Sequence, residues 1–172
     1  MMFKHILVPL DGSYLAEAAL PVASELASKF DSEITLLRVT APPFFLSHGD
    51  GRAYADLLVT MRQENRAEAH AYLKAHKGSL RQQGYIVHTV VLEDESPANA
   101  ILGVVEGQKM DVVVMSTHGR SGVARWVYGS VAGNVLHHSH VPVLLIRSRK
   151  EMLPANMPTI ESEGNIHSHE PT

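Results

Sequence analysis

The chain has 172 residues, 45% of them hydrophobic, with 15 lysines and arginines against 18 aspartates and glutamates and no cysteine. That length supports one well-buried core and is short for two. The near-balance of charge leaves no electrostatic footprint for nucleic acid or an anionic membrane, and the lack of cysteine removes disulfide frameworks and thiol chemistry. No apolar stretch approaches the roughly 18 residues of a membrane span, and the opening Met1-Met2-Phe3-Lys4-His5 lacks a secretory apolar region. A cytoplasmic chain with neither membrane nor nucleic acid as partner is expected.

Ile6 to Leu10 is the first apolar run that reads as a strand. After Asp11-Gly12-Ser13, apolar positions Ala16, Ala19, Leu20, Ala23, Leu26, Ala27 and Phe30 follow a 3.6-residue period. Ser13 is placed to cap this helix and Glu17 stands near its positive end. Pro21 inside the pattern removes a hydrogen bond and clashes with the preceding turn, which predicts a kink or break there. A second strand, Glu33 to Val39, leads into a loop over residues 40 to 52 marked by Pro42-Pro43, Gly49 and Gly51. A long polar helix follows to about Gln83, with Leu57, Leu58, Met61, Tyr72, Leu73 and Leu80 on one side. Ile86 to Leu92 reads as the third strand. Ser96-Pro97 then opens a helix as a cap followed by proline at the first helical position, with Ile101, Val104 and Val105 facing inward and Gly107 near its end.

Asp111 to Met115 is a short run rich in β-branched residues, the pattern of a parallel strand covered on both faces. It is followed by Ser116-Thr117-His118-Gly119-Arg120-Ser121-Gly122 and then Gly129-Ser130-Val131. Gly119 and Gly122 tolerate positive φ and let a ligand approach main-chain N–H groups closely. Gly129-Ser130 opens an apolar helical stretch whose unpaired amides and positive dipole end favour phosphate. A strand, a glycine-punctuated loop and a helix start thus make an anion cradle, for which a nucleotide is the natural guest. The last strand, Val141 to Ile146, carries Pro142 and suits a sheet edge. A bare apolar edge invites aggregation, and pairing with the same edge of a second subunit removes that liability, so a homodimer through Val141 to Ile146 is expected. From Arg147 onward the periodic pattern gives way to charge, proline and polar residues. Residues 1–148 therefore read as one domain and 149–172 as a mobile tail.

Strict alternation of strand and helix implies right-handed crossovers and an α/β fold: a mostly parallel, doubly wound five-stranded sheet with helices on both faces, Rossmann-like. Such sheets bind ligands beyond the carboxyl ends of their strands. Asp11 and the Ser116-to-Gly122 loop both lie at such ends.

These residues resemble the universal stress protein family, in its ATP-binding branch. The family's pattern is Gly, two residues, Gly, nine residues, then Gly with Ser or Thr; Gly119, Arg120 to Tyr128 and Gly129-Ser130 match its second part, and Ser116 occupies the place of the first glycine. The resemblance also takes in Ile6 to Ser13, Leu36 to Val39, Ser96-Pro97-Ala98 and Val141 to Ile146, and so spans residues 1 to about 148. It implies the strand order 3-2-1-4-5, contact of Asp11 with the ribose or adenosine portion, and main-chain atoms near Pro9 and Val39 at the adenine edge. It further implies phosphates held by Gly119, Gly129, Ser130 and Val131, with Mg²⁺ accompanying ATP. Gly122 gives room for that approach, and the Ser116 hydroxyl can bond ribose or phosphate.

Enzyme signatures are mostly absent: there is no Gly-x-x-x-x-Gly-Lys-Ser/Thr, no Gly-x-Gly-x-x-Gly after the first strand, no Gly-x-Ser-x-Gly and no His-Glu-x-x-His. Phosphoryl transfer also needs a charge-stabilising cation and a positioned nucleophile, and no dedicated set stands out. Slow hydrolysis at most is expected, in a nucleotide-dependent regulator of a stress response that acts on an unnamed protein partner. The alternative of another class is a dimeric adaptor module of the same fold that binds no nucleotide. His137, His138 and His140 invite a metal reading, but histidines near a helix C-terminus interact favourably with its dipole, and no acidic or cysteine ligand stands near them in sequence.

Overall fold

A computed structural model describes residues 3–43, 51–117 and 128–147. In chain order the elements are β1 (His5–Pro9), α1 (Tyr14–Glu17), α2 (Ala19–Phe30), β2 (Glu33–Thr40), α3 (Gly51–Gln82), β3 (Val87–Glu93), α4 (Pro97–Gly107), β4 (Val112–Ser116), α5 (Ser130–His138) and β5 (Val143–Ile146). The five strands form one sheet in the order β3-β2-β1-β4-β5, and every neighbouring pair is parallel. The expected strand order is thus the observed one. Gly119, Gly122 and residues 148–172, the expected tail among them, lie outside the described residues.

Alternation along the strands divides the core into two layers, because successive side chains point to opposite faces of a sheet. Ile6, Val8, Ile34 and Leu36 pack on one face with Ala19, Ala23 and Ala27 of α2 and Leu73 and Leu80 of α3. Leu7, Leu37, Val113 and Met115 pack on the other with Ile101, Val104 and Val105 of α4 and Ala132 and Val135 of α5. Helices therefore cover both faces. The amino-terminal ends of β1 and β4 are tied by one carboxylate: Asp111 Oδ2 accepts hydrogen bonds from the amides of Lys4 (2.7 Å) and His5 (2.9 Å).

Local signals shape the helix ends. The Ser13 hydroxyl caps α1 by accepting from the Ala16 amide at 3.2 Å, and Ser96 caps α4 by accepting from the Asn99 amide, with Pro97 opening the helix. Proline breaks the first helix, but not where the sequence suggested. The break falls at Ala18, three residues before Pro21, which sits in the first turn of α2. Pro21 has no N–H for the carbonyl four residues back, at Glu17, and its ring crowds that carbonyl. The helix accordingly stops at Glu17 and restarts where a missing N–H costs nothing.

α3 is buried only in part. Its second half carries the buried Ala69, Leu73 and Leu80, whereas Leu57 and Met61 in its first half are exposed. At 32 residues the helix is about 48 Å long at 1.5 Å per residue, longer than the strands it covers, so its start projects past their carboxyl ends. Among the described residues no helix is long and apolar enough to cross a membrane.

Candidate functional site

A cavity of about 500 Å³ opens at the carboxyl ends of β1, β2 and β4. This is the end of a parallel sheet at which ligands bind, and the size lies within the range of small-molecule pockets. Pro9, Leu10 and Asp11 form the wall from β1, and Arg38, Val39 and Thr40 the wall from β2. Met115, Ser116 and Thr117 contribute from β4, Gly129, Ser130 and Val131 from the start of α5. Asn65 and Glu68 of α3 and Pro97 and Ile101 of α4 complete it.

Seven of the nine residues expected at the site thus line one cavity: Pro9, Asp11, Val39, Ser116, Gly129, Ser130 and Val131. The other two, Gly119 and Gly122, fall outside the described residues. Five polar lining residues carried no role in the sequence reading: Arg38, Thr40, Thr117, Asn65 and Glu68. Arg38 alone left a trace, as a charge at an inward position of the apolar β2 run. Asn65 and Glu68, three apart on α3, reach the cavity only because the helix overshoots the sheet, and no local pattern encodes that.

The Asp11-Gly12-Ser13 turn is organised from its own side chains. Asp11 Oδ1 accepts from the Ser13 amide at 2.9 Å and from the Ser13 hydroxyl at 2.5 Å, while that hydroxyl oxygen accepts from Ala16. The carboxylate is therefore locked to the cap of α1 at the cavity wall. Gly12 has φ +81°, a conformation that L side chains rarely adopt.

On the opposite side, the Gly129 amide donates to the Thr117 carbonyl at 2.9 Å. That bond joins the end of β4 to the start of α5 and fixes the helix N-terminus at the cavity. Gly129 is the N-cap with no side-chain cap bond, so Ser130 is the first helical residue and not the cap. The first amides of a helix have no intrahelical acceptor, and the dipole makes that end positive. No acidic residue stands in the first turn of α5 to neutralise it. The cavity is consequently bipolar. Helix amides lie on the β4 side, and the carboxylates of Asp11 and Glu68 lie toward β1 and α3.

Behind the Asp11 turn lies a chain of polar contacts. Tyr72 of α3 donates its hydroxyl to Glu17 Oε1 at 3.0 Å, His76 Nε2 stands 3.3 Å from the same oxygen, and the Arg38 guanidinium lies 5.6 Å from the centre of the Tyr72 ring. Burial first, then the hydrogen bond to Glu17 and its charge, push the Tyr72 phenol well above its ordinary value of 10.0. The charge of Asp11 acts in the same direction and that of Arg38 against it. At the far end of the molecule His138 Nδ1 pairs with the Asn134 carbonyl at 2.9 Å, and His140 approaches Glu106 at 3.9 Å. Among the described residues no group of three His, Cys, Asp or Glu side chains could hold a metal ion.

The model of the universal stress protein family matches residues 2–147. The chain belongs to that family. A universal stress protein of Methanocaldococcus jannaschii is 34% identical over 151 residues, which is 87% of this chain and 85% of that protein. Among solved structures, the hypothetical protein MJ0577 is similar at TM-score 0.74 and 25% identity, over 87% of this chain and 99% of that one. Two more distant structures share the fold: a universal stress protein in complex with cAMP (TM-score 0.63, 19% identity, 87% and 100% of the chains) and an Arabidopsis thaliana family member with AMP bound (TM-score 0.62, 18% identity, 89% and 97%).

Proposed function

We propose that this universal stress protein is a receptor for ATP, bound with Mg²⁺ in the cavity above β1, β2 and β4, and that it serves as a nucleotide-dependent regulator in the cytoplasmic stress response. One observation carries the reading: the Gly129 to Thr117 hydrogen bond holds the first amides of α5 at the wall of a nucleotide-sized cavity whose other wall bears Asp11. The positive helix end suits a phosphate chain, and Asp11 offers an acceptor for sugar hydroxyls. In this scheme the Gly129 amide is committed to Thr117. Gly129 contributes room for close approach, and the amides of Ser130 and Val131 meet the anion. Main-chain atoms at Pro9 and Val39 border the base. Family members with cAMP and AMP bound support an adenine nucleotide as the guest.

Mg²⁺ fits this scheme as a passenger of the triphosphate. It prefers phosphate and water oxygens over an all-protein cage, so the triphosphate and water bring its ligands. When bound, the ion neutralises phosphate charge, and the chain's own residues orient the nucleotide around it. β5 supports assembly: among the described residues it is an edge strand paired with β4, and it leaves Leu144 exposed. A second copy on that edge covers it.

The reading is tested by mass spectrometry of small molecules released from the purified chain. An adenine nucleotide near one equivalent is expected, and its loss in Gly129→Val, which blocks approach to the helix amides. Gly129→Val that retains nucleotide at the level of the parent chain contradicts the assignment.

A further inference from the structure

Arg38 is a buried charge placed where an apolar residue would be expected. It shares the inward face of β2 with Ile34 and Leu36, it is only 8% exposed, and it forms part of the cavity floor. Taking a guanidinium out of water is costly, so an arginine at such a position calls for a role that a leucine could not fill. Its surroundings indicate the role. A Cβ built on Gly12 would lie 2.6 Å from Arg38 Nη1, 2.9 Å from Nη2 and 3.0 Å from Cζ. The middle residue of the Asp11-Gly12-Ser13 turn therefore rests on the guanidinium. Tyr72 stands 5.6 Å away from it, ring centre to Cζ, and is held by its bond to Glu17.

We propose that Arg38 is the positioning residue for the nucleoside end of the cavity: its planar guanidinium, set over the Tyr72 ring, seats the Asp11 turn, and glycine at position 12, which a φ of +81° already favours, lets the turn lie against the guanidinium. The inference rests on the nucleotide reading above and deepens it. Arginine suits the task because it is planar, permanently charged, weakly hydrated and able to stack on an aromatic face, whereas lysine is a compact, strongly hydrated point charge. The two ends of the ligand are then held by separate devices. Arg38 acts through the turn at the nucleoside end, and the α5 amides act on the phosphates.

That separation supplies the test. ATP and inorganic tripolyphosphate are titrated by calorimetry into the full chain, Arg38→Met, Arg38→Lys and Gly12→Ala. Each variant is expected to lose ATP affinity by about tenfold or more, a change of about 1.4 kcal/mol, while tripolyphosphate affinity stays within about twofold, as expected for sites that do not couple. Arg38→Lys does not rescue, and the Gly12→Ala/Arg38→Met double variant binds ATP no more weakly than the worse single variant. Unchanged ATP affinity in Arg38→Met overturns the proposal. Equal loss of both ligands overturns it as well, since that marks a direct phosphate contact or a general loss of structure. A crystal structure of Arg38→Met decides independently of any ligand. A displaced Asp11 turn beside an unmoved α5 supports the positioning role, and an unmoved turn refutes it. If the parent chain binds neither ligand, the nucleotide reading falls, and this crystal structure still judges what Arg38 does to the turn.

Discussion

Asp11→Asn separates the structural work of Asp11 from its proposed binding work. The turn uses Asp11 Oδ1 as an acceptor for the Ser13 amide and hydroxyl. An asparagine carbonyl accepts the same two bonds, so the turn and the cap of α1 persist and stability should change by less than about 1 kcal/mol. What is lost is charge. A hydrogen bond from a ribose hydroxyl to a carboxylate is worth about 1.5–3 kcal/mol, so ATP should bind roughly 10- to 150-fold more weakly. Asp11→Ala removes the acceptor too, and should add about 1 kcal/mol of destabilisation, as expected when a half-buried donor loses its partner. Calorimetry with ATP and Mg²⁺ and thermal unfolding of the ligand-free chains read the two effects apart. ATP affinity of Asp11→Asn within about twofold of the parent chain, a change below about 0.5 kcal/mol, would refute a sugar contact at Asp11.

Three further predictions concern the frame around the site. Tyr72 keeps its proton in the folded chain above the pH at which it ionises when unfolded, so above pH 10.0 the unfolded state binds fewer protons and stability falls as pH rises. Tyr72→Phe should lack that alkaline limb, as measured by urea unfolding across pH 9–11. Leu73→Ala, at a fully buried position joining α3 to the core, should cost about 2–5 kcal/mol in the same unfolding assay; a loss below about 1 kcal/mol would mean that α3 is not packed as described. Leu144→Glu places a charge on the exposed position of the β5 edge and should convert a homodimer to monomer by sedimentation. A variant that sediments as the parent chain does would place the interface elsewhere.

Much of this architecture was legible in residue pattern because the physics behind it is local. β-branched runs gave the strands, Ser13 and Ser96-Pro97 gave caps at the residues that act as caps, and alternation gave the parallel order its logic. The misplaced helix break is instructive. Proline acts on the carbonyl four residues before it, so Pro21 ends the helix at Glu17 and is itself retained in the next one. Leu57 and Met61, read on one side of α3 together with Leu73 and Leu80, are exposed, because helical periodicity says which residues share a face and not how far the sheet beneath them extends. The turn at Asp11 and the helix start at Gly129-Ser130 were legible because main-chain chemistry favours glycine, serine and aspartate at such places. Asn65 and Glu68 were not, and Arg38 left only a charge within the apolar β2 run. Their place in the cavity depends on the register of β2 against β1 and on the overshoot of α3, both tertiary facts.

The most direct test is calorimetric titration of the full chain with ATP in the presence of Mg²⁺. Saturable binding near one nucleotide per chain, with dissociation below about 1 mM, corresponding to about 4 kcal/mol or more of binding free energy, is the result predicted from the cavity at the start of α5. No heat of binding at millimolar ATP, from a chain that is folded by circular dichroism, would contradict it.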